Sequence, residues 1–195
     1  MIENVLSRKQ LSVGKKIGVK TALSALVIIA AVCLPQLVHL VAGAQGGVKY
    51  LPMYLPVIIG GALMGAKWGF TVGLIAPFMS FLVTSAFGNP MPMAERLPFM
   101  MAELAVFALV SGAFGKLIYK NKWMAFPAVL SAEIAGRASF VLLIAIFGRF
   151  TSFTVPMIWG QIKTGFVGLA LQAVIAPLLI IGMRKLIKND ETEER

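Results

Sequence analysis

Four ionisable residues stand inside apolar runs of this sequence: Glu103, Glu133, Arg137 and Lys163. A charge at membrane depth costs at least a few kcal/mol, so such groups are paired, hydrated or part of a solute or proton path. Glu133 and Arg137 are four residues apart with the acid first, the favourable order for an ion pair along one helix. That spacing also has a purely structural reading, in which the two neutralise each other. Glu103 has one as well, as a packing residue bonded to a neighbouring helix, and Lys163 can snorkel to the interface. Glu103 can also face Arg137 from the fourth run, so that two acids share one base and Lys163 balances the second. Asn89, Gln161, Trp159, Tyr50 and Tyr54 add amide and aromatic groups near the same end of the runs. His39, the single histidine, lies near the end of its run and reads as an interfacial residue rather than a ligand.

The elements that must carry these groups follow from composition. Of 195 residues, 58% are hydrophobic and 13% charged, and the mean hydropathy is +0.86. A soluble domain has roughly 45–50% apolar and about 25% charged residues. A chain of 20.9 kDa is too rich in surface to hide that much apolar area in its own interior, so lipid must be its solvent. About 20 apolar residues cross the hydrocarbon core as a helix. Six such runs are expected, at 17–42, 51–66, 68–87, 98–119, 124–147 and 156–183. They give an all-α, six-helix membrane domain over 17–183, a basic N-terminal segment at 1–16 and a charged, disordered tail at 184–195. Ala42-Gly43-Ala44 has the form of a signal-peptidase site, but the preceding run is longer than a signal-peptide core and reads as a retained helix.

The formal net charge of +10 belongs to the ends of the runs, not to a face with interleaved aromatics, so nucleic acid is not the expected partner. With the N-terminus inside, the cytoplasmic segments hold Arg8, Lys9, Lys15, Lys16, Lys20, Lys67, Lys116, Lys120, Lys122, Arg184, Lys185, Lys188 and Arg195, and the outer loops hold only Lys49, Arg96 and Arg149. Lys and Arg resist translocation, so both ends are expected in the cytoplasm. In that orientation a rise of about 1.5 Å per residue puts Glu103, Gln161 and Lys163 about 8–10 Å below the outer ends of their helices and Arg137 about 15 Å below, with Glu133 one turn deeper. Asn89, Trp159, Tyr50 and Tyr54 fall near the outer mouth. Their convergence predicts a cavity that opens outward between the fourth, fifth and sixth runs.

Enzyme chemistry finds little support. One histidine excludes a His-Glu-x-x-His zinc site, and no Gly-rich ATP loop is present. Glu133-x-x-x-Arg137 partly resembles the Glu-Glu-x-x-x-Arg of intramembrane prenyl-protein peptidases, but Ala132 replaces the first Glu and the downstream histidines are missing. The single Cys33 allows no intramolecular disulfide. No metal and no cofactor are expected. Small residues recur every four positions at Gly61, Gly65, Gly69 and Gly73, at Ala128, Ala132 and Gly136, and at Gly160, Thr164 and Gly168. That spacing lets helices approach closely, and the first set implies a tight hairpin between the second and third runs.

Several segments, in this order, resemble the substrate-binding S components of energy-coupling factor (ECF) vitamin transporters. They are Tyr54-Leu-Pro-Val-Ile-Ile-Gly-Gly-Ala-Leu-Met-Gly-Ala-Lys-Trp-Gly69, Ala76-Pro-Phe-Met-Ser80, Met101-Ala-Glu-Leu-Ala-Val-Phe-Ala-Leu-Val-Ser-Gly112, Ala135-Gly-Arg137, and Gly168-Leu-Ala-Leu-Gln172 with Ala176-Pro177. The resemblance implies a multi-pass subunit of a prokaryotic plasma membrane that binds a vitamin-like solute in an outer pocket. It implies as partners a transmembrane coupling subunit and two ATPases, with delivery by toppling in the membrane. It also implies docking through small residues on the first helix. The family's Ala-x-x-x-Ala is replaced here by Gly18-x-x-x-Ala22 and Thr21-x-x-x-Ala25. The segments lean toward the branch associated with pantothenate and with corrinoid or its lower-ligand nucleoside, α-ribazole. Substrate-binding candidates are Arg137, Glu103, Lys163, Glu133, Asn89, Trp159, Gln161 and Tyr54. Two acids and two bases among them select neither anion nor cation. A stand-alone secondary carrier and a membrane scaffold remain the alternatives.

Overall fold

A computed structural model describes residues 1, 2, 6 and 12–193. Arg8, Lys9 and Arg195, three of the expected cytoplasmic charges, lie outside the described residues. The described chain is helical, with α1 Val13–Ala42, α2 Ala44–Tyr50, α3 Tyr54–Met64, α4 Ala66–Ala86, α5 Leu97–Ala113, α6 Gly115–Lys120, α7 Ala125–Phe147 and α8 Val155–Glu193, and no strand among the described residues. Short 3-10 turns at Lys122–Met124 and Gly148–Phe150 lead into and out of α7.

Among the described residues five stretches are long and apolar enough to cross a membrane: Val13–Ala42, Gly46–Met64, Ala66–Ala86, Lys122–Phe147 and Pro156–Ile187. The helix expected over 98–119 differs from that reading. It breaks at Phe114 into α5 and α6, leaving a 17-residue apolar helix. Its glycines are pressed against the α3–α4 turn there, where a β-carbon on Gly112 would lie 2.6 Å from the Ala66 nitrogen and one on Gly115 2.9 Å from the Ala62 oxygen. The last helix also differs: it runs on through Pro177 to Glu193, past the expected end at 183, so most of the tail expected to be disordered is helical.

α5 is the central element, packed against α3, α4 and α7. In lipid there is no hydrophobic drive to bring helices together, so close backbone approach and dispersion must do it. The glycine ladder supplies that approach. Gly65, at φ +92°, makes the one-residue turn between α3 and α4, a backbone angle that L side chains rarely adopt. On either side of it, β-carbons on Gly61 and Gly69 would collide with the Ala108 oxygen, and one on Gly73 would collide with that of Leu104. The α3–α4 hairpin thus grips the backbone of α5. Across the bundle, a β-carbon on Gly136 of α7 would run into the Phe107 ring. The third set divides, since Gly168 abuts the Lys49 and Tyr50 backbone while Gly160 faces open space.

Outward faces are apolar throughout: Leu26 is 66% exposed, Ile29 61% and Ile134 71%. Only Ala31 and Pro35 of α1 are buried. Such surfaces are untenable in water and ordinary in lipid.

Gly73→Val should cost about 1–3 kcal/mol by overpacking against a backbone that cannot yield. In detergent this should appear as a fall of several degrees in the melting midpoint. Gly182 is the control, since a β-carbon there would meet nothing within 4 Å, and Gly182→Ala should melt no lower than the parent.

Candidate functional site

Helix α3 begins at Tyr54, whose ring is almost wholly buried and meets Phe107 edge-on at 5.1 Å. Its hydroxyl donates to Glu103 Oε2 at 2.6 Å. Arg137 of α7 donates from Nη1 to the other oxygen of Glu103 at 2.7 Å, and its guanidinium lies 4.9 Å from the centre of the Tyr54 ring. Three helices are therefore joined through one carboxylate that has no exposure at all. Of the two acids expected to share Arg137, Glu103 across from α5 forms the ion pair and Glu133 along α7 does not. Arg137 reaches across to α5, where the fully buried Glu103 needs a counter-charge and Arg137 is in direct contact to give it. Glu133 stays in electrostatic range of Arg137, but its Oε1 is buried without a hydrogen-bond partner, as is Arg137 Nε.

On the open side of Tyr54 lies a cavity of about 320 Å³. Its walls come from the end of α1 (Pro35, His39), the α2–α3 junction, Ser80 of α4, the segment 89–93, and Arg96 and Met100 at the start of α5. Four methionines, Met53, Met91, Met93 and Met100, make much of the surface apolar yet adaptable. The segment over it is tied down by α4: Met91 N donates to Thr84 Oγ1 at 2.7 Å, and Ser80 Oγ donates to the Met91 carbonyl at 2.9 Å. From the other side, Gln172 of α8 donates to the Tyr50 and Leu51 carbonyls at 3.1 and 2.9 Å and holds the α2–α3 junction. Beside the cavity, Phe99, Phe140, Ile144, Phe153 and Ile158 form a second apolar cluster that closes this end of the bundle.

Of the eight candidates, Tyr54 and Asn89 line the cavity. Glu103 and Arg137 stand directly behind Tyr54, and Glu133 lies one turn further along α7. Trp159, at 57% exposure, and Lys163 are turned outward on α8, while Gln161 is half-buried with an unpartnered Oε1. None of these three lines the cavity. This cavity lies among α1 to α5, not between the fourth, fifth and sixth runs. Sequence reasoning makes His39 interfacial and Arg96 an outer-loop charge, and it misses both as cavity residues. Ser80 belongs to a family segment, but nothing in its spacing signals that it faces a cavity.

A profile of the ECF transporter substrate-specific components matches residues 15–180. This chain belongs to that family. Neither the curated proteins nor the solved structures hold a significant match to it. S components are substrate-binding transport subunits that work with a membrane coupling subunit and ATPases, and they bind small vitamin-like substrates. The S component described here is accordingly a multi-pass membrane protein. Its four-residue glycine ladder builds the scaffold that carries the cavity.

Glu103→Gln should destabilise by about 3–5 kcal/mol, because it leaves the Arg137 charge buried without its partner. Tyr54→Phe removes only a hydrogen bond to a charged group and should cost about 1.5–3 kcal/mol. Glu103→Gln combined with Arg137→Gln should recover part of the loss. Melting curves of the four proteins measure the order, and a Glu103→Gln protein as stable as the parent would show that the pair does not hold the bundle.

Proposed function

We propose that this S component captures a water-soluble vitamin or cofactor precursor in the cavity bounded by His39, Tyr54, Ser80, Asn89 and Arg96. It then hands the solute to a coupling subunit while partner ATPases hydrolyse ATP, toppling in the membrane as it does so. The observation that carries this reading is the cavity itself: a mixed apolar and polar hollow of about 320 Å³ at the end of the bundle away from the basic loops. Small-molecule sites run from about 300 to 1,000 Å³, so the size favours a solute like pantothenate or α-ribazole over an intact corrinoid.

Orientation follows the charges. The basic ends of α1 and α8 and the basic α3–α4 and α6–α7 connections lie in the cytoplasm, and the cavity opens outward in a prokaryotic plasma membrane. α5 with α6 then makes the sixth crossing, since together with Phe114 they cover 97–120. Glu103, Arg137 and Glu133 support the pocket floor through Tyr54, while Lys163, Trp159 and Gln161 are placed to meet lipid headgroups or solute at the rim.

Docking on the coupling subunit uses α1. Gly18, Thr21, Ala22 and Ala25 are all exposed, and a β-carbon on Gly18 would meet nothing within 4 Å. A small, unoccupied face of this kind lets a partner helix approach closely.

Mass spectrometry of the detergent-solubilised protein should detect a vitamin at near-unit stoichiometry, and repeated absence would favour a scaffold. Liposomes containing this chain alone should not concentrate solute, and accumulation driven by a proton or sodium gradient would install a secondary carrier instead. Ala22→Trp or Ala25→Trp should block co-purification with the coupling subunit yet leave solute binding within about twofold. Persistence of the complex would move docking to another face.

A further inference from the structure

The cavity has a sign. Among the described residues lining it Arg96 is the one permanent charge, and no aspartate or glutamate lines it. Two carboxylates lie nearby. Glu95, beside Arg96 in sequence, is exposed to solvent, accepts from Ser152 and forms no ion pair with Arg96. Glu103 is bonded to Tyr54 and Arg137, and Arg96 influences it only at range.

Arg96 is also held in place. Its guanidinium lies 5.6 Å from the centre of the Phe140 ring, within cation–π range, and its Nε is buried with no acceptor. Arg96 further stands at the N-cap position of α5, whose positive dipole end favours a nearby anion. Among the described residues no carboxylate forms an ion pair with this half-buried guanidinium, so an anion within the cavity would offset its desolvation.

We infer that the solute is a small organic acid whose carboxylate pairs with Arg96. This rests on the cavity being the solute site. A planar guanidinium binds a carboxylate in a two-point fork, which fixes orientation as well as charge. One fixed cation matches one negative charge; a phosphate monoester, at about −1.5 to −2, would leave an excess in a mostly apolar hollow. The methionines, Leu51 and the Tyr54 ring suit a compact apolar body, and Asn89 supplies an amide for a hydroxyl or amide along it. The sequence candidates, two acids and two bases, leave the charge of the solute open. The cavity wall does not.

The test uses compounds that differ only in the acid: pantothenate against pantothenol, biotin against biotinamide, nicotinate against nicotinamide. Each is titrated into the purified full-length protein at fixed ionic strength, with thiamine, riboflavin and pyridoxal phosphate alongside, and the co-purifying solute is identified by mass spectrometry. One acid should bind at least tenfold more tightly than its neutral twin, and the co-purifying solute should carry a carboxylate. Arg96→Gln should shrink that preference to within about threefold at an unchanged melting midpoint, and Arg96→Lys should restore part of it. Equal or tighter binding of the neutral twin, a preference for the phosphate ester, or a preference retained in folded Arg96→Gln would overturn the inference. Tight binding of thiamine or riboflavin would overturn it too, while leaving a solute-binding subunit in place. No binding by any compound and no co-purifying solute would overturn both.

Discussion

Glu103 has no exposure, and it sits on the helix that touches α3, α4 and α7. A carboxylate there must be answered by partners already in position, because neither water nor lipid can reach it. Tyr54 and Arg137 answer it, one for each oxygen. The two bonds come from different helices, so satisfying one buried charge fixes α3 and α7 relative to α5. The Tyr54 ring, pinned at its hydroxyl, flanked by Phe107 and covered by the Arg137 guanidinium, becomes a rigid wall between the charged interior and the cavity. The polar network therefore gives the pocket its floor without contributing a charge to it: Glu103 and Arg137 cancel behind the ring, and Arg96 alone sets the sign in front.

Such a network holds its geometry only if the helices bearing it come close, and glycine makes that possible. The separation of α5 from the α3–α4 hairpin is set by backbone contacts at Gly61, Gly69 and Gly73. A larger residue at any of them would push α5 outward and lengthen the bonds to Glu103. Packing and electrostatics here are successive conditions on one arrangement. Close approach comes first, and a short bond between fully buried partners becomes available because of it.

Periodicity and charge make much of this legible. The apolar runs locate most helix ends to within a few residues, the far end of α8 and the break at Phe114 excepted, and the glycine ladder identifies the tight hairpin. Glu103, Arg137 and Tyr54 all stand out by residue type and depth. What cannot be read is direction. Sequence offers Arg137 both Glu133, four residues back on its own helix, and Glu103 on the fourth run; which of them it takes depends on which face of α7 meets which face of α5. The same ignorance places Lys163 with the interior groups and Trp159 at the cavity mouth, since depth along a helix says nothing about azimuth around it. The break at Phe114 is hidden because Gly112 and Gly115 look like helix-packing residues until the α3–α4 turn is seen against them. Arg96 and His39 are hidden for a different reason. A residue at a loop or helix end belongs to a cavity only through elements distant in sequence, here α1, α4 and the 89–93 segment.

α1 connects the two ends of the molecule. Pro35 and His39 line the cavity, while Gly18 to Ala25, roughly three to five turns nearer the other end, form the exposed small face. Only Ala31 and Pro35 are buried along its 30 residues, so α1 is the least constrained long helix, and Gly43 at φ +68° ends it. Pro35 lies inside α1, between the small face and His39, and proline is where a helix kinks. A partner that grips the small face and tilts α1 displaces one wall of the cavity only if the tilt carries past Pro35 to His39. The opposite wall, Tyr54, is tied into the buried network and would stay. Under the proposed docking mode, release of solute thus needs no change in the charged interior. It needs only that α1 have two positions, with one of them favoured by the partner, which is the minimum physical requirement for coupling two distant sites.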